Sequence, residues 1–147
     1  MDNAALKQKI YDGLSDKRIG ISEKVKSRIE FEWETFDKNN QLEYLAFYDD
    51  LVAFAKDNDI KIGSGRGAAC CSLVLYALDI TQINPIQHGL IFERMPKKLD
   101  IDFDVEPTRR DEIIKYLKQK YGENNVLRSV AYDVHNKRHP NACKWII

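Results

Sequence analysis

The sequence has no excess of charge of either sign: 23 Lys and Arg are matched by 23 Asp and Glu among 147 residues. That removes any global electrostatic case for binding nucleic acid, which would have to come from local patches. No apolar run approaches the ~18 residues of a membrane span, so no membrane partner is expected. Cysteine is scarce. There are three, two of them adjacent as Cys70 and Cys71, which is neither a disulfide framework nor a zinc-ligand spacing. They read as packing residues. The opening MDNAALKQKI lacks the apolar core of a secretion signal, and with the odd cysteine count this points to a reducing cytoplasm. Internal repeats and low-complexity linkers are also absent.

What is present is 44% hydrophobic content, enough for one globular domain with a core. Apolar residues recur at helical spacing from Asn3 to about Gly13 and from Ser22, a plausible N-cap, to about Thr35. A stronger helix is expected from Gln41 to Asp57. The stretch DNDIKIG reads as a turn and a short strand, Ile60 to Ile62, and AACCSLVLYAL as a buried helix. INPIQHG reads as a turn. Thr108 is a candidate N-cap for a helix from Arg109 to Tyr121, with Gly122 as its stop. NVLRSVAY reads as a last strand, followed by a loose tail. The order predicts an α/β (α+β) chain, with helices packed on a small mixed sheet. Three segments are expected: a helical 1–40, a central 41–132 and an irregular 133–147.

The stretch LDIDFDVE, residues 99–106, alternates Asp100, Asp102, Asp104 and Glu106 with Ile101, Phe103 and Val105. In a strand, residues two apart share a face and lie ~6.6 Å apart, so the carboxylates would line one side. Acidic residues on a solvated edge strand are the plain explanation. Against it, aspartate is a poor strand former, and like charges at every second position repel with no partner nearby in sequence. Two aspartates at i and i+2 can hold a pair of Mg²⁺ ions ~3.5–4 Å apart, the arrangement used in phosphoryl transfer. A calcium loop is excluded. Counted from Asp100, its sixth position would need Gly and holds Val105, and its twelfth would need Glu and holds Asp111.

IGSGRGAACCS places Gly63, Gly65 and Gly67 between an expected strand and an expected helix. Such a loop lets backbone N–H groups approach phosphate. Neither the dinucleotide fingerprint nor the Walker pattern is met. A flexible turn is the plain alternative, but Arg66 inside the loop suits triphosphate oxygens. Ser72 could donate a hydroxyl or satisfy its own backbone.

The blocks GSGRGAACCSLVLYALDIT, INPIQHGLIFER and LDIDFDVEPTRRDEIIKYLKQKYGENNV resemble, in order and spacing, the family of bacterial replicative DNA polymerase III alpha subunits, the C-family polymerases. The likeness runs from about Leu42 to Tyr132. It implies the first part of a polymerase palm of the polymerase-beta nucleotidyltransferase type. It implies further that Asp100 and Asp102 are the catalytic ligands of Mg²⁺, while Asp104 is not a principal one. Gly65, Arg66, Gly67 and Ser72 would lie against the triphosphate of an incoming dNTP, and Arg94 matches the arginine of the FER block. Primer–template DNA and the remaining polymerase domains, on another chain or missing, are the implied partners. Ala68 stands where the family has serine, Cys71 where it has glycine and Leu99 where it has proline, and the loop between Arg94 and Asp100 is shorter. The family's third catalytic aspartate lies further downstream, so the isolated chain is expected to be inactive alone. The alternative is a non-catalytic remnant that binds metal–nucleotide or a replication partner.

Overall fold

Each of the first three helices follows from a stripe of apolar residues three or four apart. The computed structural model of the chain describes residues 2–95, 99, 101–126, 129–130 and 145–146. Helix α1 (Asn3–Asp16) buries Leu6, Ile10 and Leu14, and Asp2 caps it by accepting from the Ala4 N–H. Helix α2 (Glu23–Lys38) is capped by Ser22, as its sequence predicts, and buries Val25, Ile29, Glu32 and Phe36. Helix α3 (Leu42–Asp57) buries Leu42, Leu45, Asp49, Leu51, Val52 and Ala55.

The expected helix over AACCSLVLYAL is divided. A 3₁₀ turn over Gly67–Cys71 gives way at the extended residue Ser72 to a short helix α4 (Leu73–Ala77). Leu73, Val74 and Leu75 on α4 are wholly buried. Both α1 and α2 pack on α4. Gly13 permits the closest approach: a Cβ there would lie 2.1 Å from the Ala77 carbonyl oxygen. A second 3₁₀ turn, Phe92–Arg94, inserts Phe92 edge-on against Phe36 and Phe31.

The chain divides into two compact units, Met1–Pro107 and Thr108–Ile147. The main core lies in the first, drawn from α1 to α4 and from Phe92, Leu99 and Ile101. The second contains helix α5 (Arg110–Tyr121), which buries Ile113, Ile114 and Leu117. Arg109 rather than Thr108 flanks its start, without a side-chain cap, and Gly122, at φ 93°, ends it as anticipated.

The mixed sheet is not found. Among the described residues, pairing is limited to an antiparallel match of β1 (Ser129–Val130) with β2 (Trp145–Ile146) and one isolated bridge, Ile62 to Val105. The predicted α/β class, with helices covering a palm-type sheet, is therefore corrected to a helical architecture. The reason is physical. Ile60 and Ile101 are buried, Ile101 within the main core, so two short apolar alternations are covered while one isolated bridge joins them. Most of the expected last strand and tail lies outside the described residues.

Buried charge organises the first unit. Glu32, with no exposed surface, accepts from Arg28 Nε (2.9 Å), Ser72 Oγ (2.7 Å), Leu73 N (3.0 Å) and Val74 N (3.0 Å). Arg28 also donates to the carbonyls of Cys71 (2.7 Å) and Leu90 (3.0 Å). Removing one side of such a buried pair leaves the other unsatisfied and costs about 3–5 kcal/mol. Glu32→Ala should lower unfolding free energy by about that amount in urea titration. A loss of less than ~1 kcal/mol would mean the network is dispensable.

Asp79 sits after α4 with φ 59° and pairs with both Lys17 and Lys56. Burial pushes its carboxyl pKa up. The two lysines, by hydrogen bonding and charge, outweigh burial and bring it below the ordinary 3.8. A depressed carboxyl contributes stability that is present above the unfolded-state value and is lost as pH falls through the folded-state one. Asp79→Asn, which tolerates the same left-handed backbone, should therefore be less stable at pH 7. Its deficit should shrink steadily below about pH 4 in thermal melts taken across pH.

Candidate nucleotide and metal site

The glycine loop and the acidic stretch are joined at their bases by backbone pairing. Gly63 N donates to the Asp104 carbonyl (2.9 Å), and Glu106 N donates to the Lys61 carbonyl (3.0 Å). The Glu106 side chain returns the bond by accepting from Lys61 N at 3.0 Å. With the Ile62–Val105 bridge, residues 61–63 and 104–106 form one short antiparallel clamp. Gly63 is needed in it, since a Cβ would come 2.8 Å from Asp104 Cβ.

Beyond the clamp the loop is pinned on its inner side. Gln82 N donates to the Ser64 carbonyl (2.8 Å). Gly65, at φ 88°, lies so close to Thr81 that a Cβ would meet its Cγ2 at 2.8 Å. A side chain at Gly65 would thus be excluded both by backbone conformation and by space. Gly67 also has positive φ, 64°, but faces open space.

Arg66 projects from this loop onto the acidic stretch. Its Nε donates to Asp102 Oδ2 at 3.0 Å, and its Nη2 lies 3.3 Å from Asp104 Oδ1. The sequence offered the middle carboxylates no local partner; the fold brings one from 36 positions away. All three side chains are more than half exposed, at 59%, 60% and 52%. Such pairs contribute only ~0–1 kcal/mol each, so Arg66 is held weakly and can exchange partners.

The other expected site residues are placed differently. Asp100 lies outside the described residues, as do Lys97 and Lys98. Ser72 is wholly buried; its hydroxyl donates to Glu32 and accepts from Leu75 N at 3.1 Å. It shapes the loop's exit and is not brought to the Arg66–Asp102 pair. Arg94 is exposed at the end of its 3₁₀ turn. No described contact ties it to the loop.

Sequence reasoning missed Arg28, Glu32, Lys61 and Tyr48. Glu32 had a legible signal, a carboxylate on the apolar stripe of Val25, Ile29 and Phe36. Tyr48 and Lys61 had none.

No group of three or more His, Cys, Asp or Glu side chains able to hold a metal occurs among the described residues. Of the two expected ligands Asp102 is described, and its chemistry is of the kind Mg²⁺ takes. Asp102 and Asp104 converge on one cation, the Arg66 guanidinium, and present hard oxygen donors. Mg²⁺ ordinarily takes one or two carboxylates and fills its remaining positions with water and phosphate oxygens.

Comparison with known proteins shows the family. The family described as "Bacterial DNA polymerase III alpha NTPase domain" matches residues 4–144, wider at both ends than the likeness visible in the motif blocks. DNA polymerase III subunit alpha of Aquifex aeolicus is 41% identical over 112 residues, 73% of this chain and 10% of the relative. That of Treponema pallidum is 35% identical over 130 residues, 84% of this chain and 11% of the relative. That of Staphylococcus aureus strain MRSA252 is 40% identical over 110 residues, 71% of this chain and 10% of the relative. The chain thus spans about a tenth of the length of these curated relatives. Among the described residues no helix is long and apolar enough to cross a membrane. On the extent of the family match, this chain belongs to the bacterial DNA polymerase III alpha NTPase domain family.

Proposed function

We propose that this chain is a metal- and nucleotide-binding part of a DNA-directed DNA polymerase that acts in cytoplasmic DNA replication. Asp100 and Asp102 serve as ligands of Mg²⁺, and Gly65, Arg66 and Gly67 lie against the triphosphate of an incoming dNTP. The observation that supports this reading best is Arg66, which spans from the glycine loop to Asp102 and Asp104. A phosphate-seeking cation and oxygen donors for a metal therefore share one exposed surface, as transfer of a nucleotidyl group requires. Bound Mg²⁺ would supply charge stabilisation on the reacting phosphate and a lowered pKa for the attacking hydroxyl.

The chain's own residues then divide the work. The clamp between 61–63 and 104–106 keeps loop and carboxylates at a set separation. Thr81 behind Gly65 keeps the loop backbone flush, so that its N–H groups can approach phosphate closely. Arg66 exchanges its weak carboxylate pairing for charge-assisted bonds to phosphate oxygens. Arg94 is assigned to the triphosphate by family likeness alone. Ser72 contributes through the loop's exit. Primer–template DNA and the remaining polymerase domains complete the site. A second reading, a non-catalytic binder of metal–nucleotide, is favoured by Ala68 and Cys71 at positions where the family has serine and glycine. Both readings require the same ligands.

Metal binding should stabilise the folded chain by linkage. Millimolar Mn²⁺ or Mg²⁺ should raise Tm by roughly 2–6 °C, and the Asp100→Asn, Asp102→Asn double variant should lose that gain. A melting curve indifferent to Mn²⁺ would remove the metal site. Nucleotide binding is tested separately through Arg66→Ala, which should weaken dNTP–Mg²⁺ binding by roughly 1.5–3 kcal/mol in calorimetric titration. Mn²⁺ binding without nucleotide should hold or strengthen in that variant, because Arg66 shares the Asp102 carboxylate. Equal dNTP affinity in variant and parent would reduce the glycine loop to a turn.

A further inference from the structure

The backbone of residues 101–104 is reached from two other parts of the chain. Over residues 101–104 two hydrogen bonds to the backbone are described: the Gly63 N–H to the Asp104 carbonyl, and the Tyr48 hydroxyl to the Ile101 carbonyl at 3.1 Å. The first belongs to the clamp and lies past Asp102. The second comes from α3 and reaches the peptide that joins Ile101 to Asp102.

Tyr48 engages the stretch in a second way. Its ring lies 6.3 Å, centroid to centroid, from that of Phe103, tilted at 39°, and 5.2 Å from Phe47 in an edge-on contact. Phe103 is itself packed against the main core, and Ile101 is buried within it. One tyrosine therefore touches the residues on both sides of Asp102, by a hydrogen bond before it and a ring contact after it. With the Ile101 carbonyl turned inward to Tyr48 and the side chains of Ile101 and Phe103 also directed to the core, the Asp102 side chain is left on the outer face. Its 60% exposure and its contact with Arg66 agree with that.

We infer that Tyr48 is a positioning residue for the metal-binding carboxylate of Asp102: its hydroxyl sets the orientation of the Ile101–Asp102 peptide and so the direction in which Asp102 presents its oxygens. This rests on the metal reading above and adds a residue on a different element, 53 positions away. Tyr48 touches neither metal nor nucleotide. It acts through the backbone, as the partners that orient metal ligands commonly do, and loss of such a partner typically costs 10–100-fold in metal affinity.

The discriminating variant is Tyr48→Phe, which keeps the ring packed on Phe103 and removes only the hydroxyl. Mn²⁺ binding is measured by electron paramagnetic resonance on the full chain, wild type, Tyr48→Phe and Asp102→Asn, with Tm recorded without metal. The expected result is Mn²⁺ affinity about tenfold weaker in Tyr48→Phe and a Tm within a few degrees of wild type. A residue that merely stabilised the core would lower Tm and leave affinity well below Tm unchanged. Should Tyr48→Phe fold poorly, Phe103→Leu, which loosens the ring contact from the other side, is expected to weaken Mn²⁺ binding in the same direction, and unchanged binding in it would count against the positioning role. If wild type binds Mn²⁺ through Asp102 and Tyr48→Phe binds it equally well, the positioning role is overturned and the metal reading stands. If wild type shows no Asp102-dependent Mn²⁺ binding, the metal reading is overturned and the positioning role falls with it.

Discussion

The buried carboxylate of Glu32 is the constraint on which the rest of the first unit depends. It draws Arg28, the Ser72 hydroxyl and two backbone N–H groups of α4 to one point with no access to water. A charge so placed is tolerated only when its lone pairs are satisfied. Here one donor, Arg28, lies a turn away on the same helix, and the others are the consecutive residues Ser72, Leu73 and Val74, 40 to 42 positions on. Satisfying Glu32 therefore requires α2, the exit of the glycine loop and the start of α4 to meet in one geometry. Arg28 extends the requirement to the carbonyls of Cys71 and Leu90. The division of the expected helix at Ser72 follows from the same demand. The backbone has to turn extended there for the hydroxyl and the next two amides to face Glu32.

The site is built outward from that rigid interior with much weaker restraints. Its loop is held by backbone bonds at its base and by the close fit of Gly65 on Thr81, while Gly67 faces open space and Arg66 is exposed on the outer side. The exposed pairing of Arg66 with Asp102 and Asp104 relieves repulsion among the carboxylates, yet its strength is small enough to be exchanged for a stronger ligand. This gradient is what a binding site needs. On the proposed reading, the backbone would be set before a ligand arrives, and the charged side chains would be able to change partners.

Much of the helical architecture was legible in the amino-acid order. The stripes of α1, α2 and α3, the Ser22 cap and the Gly122 stop are local properties, and each stands where periodicity and capping chemistry place it. The sheet was not legible, because a short apolar alternation reads alike whether its inward face meets a ladder or a helix surface. In these two stretches Ile60 and Ile101 are buried, and among the described residues the pairing is the single Ile62–Val105 bridge. The acidic row and the glycine loop stood out as chemistry for the same local reason: four alternating carboxylates and an arginine among glycines are visible without a fold.

What the sequence by itself determined, then, was the helices, their caps and the two motifs, since these depend on residues within one or two turns of each other. Only the tertiary structure decided which motif residues meet. It brought Arg66 to Asp102 across 36 positions, set Tyr48 behind Ile101 across 53, and drew Ser72 inward to Glu32 across 40. Those pairings arise because burying the stripes of α1 to α4 in one core fixes where the intervening loops can pass. No residue carries that information alone.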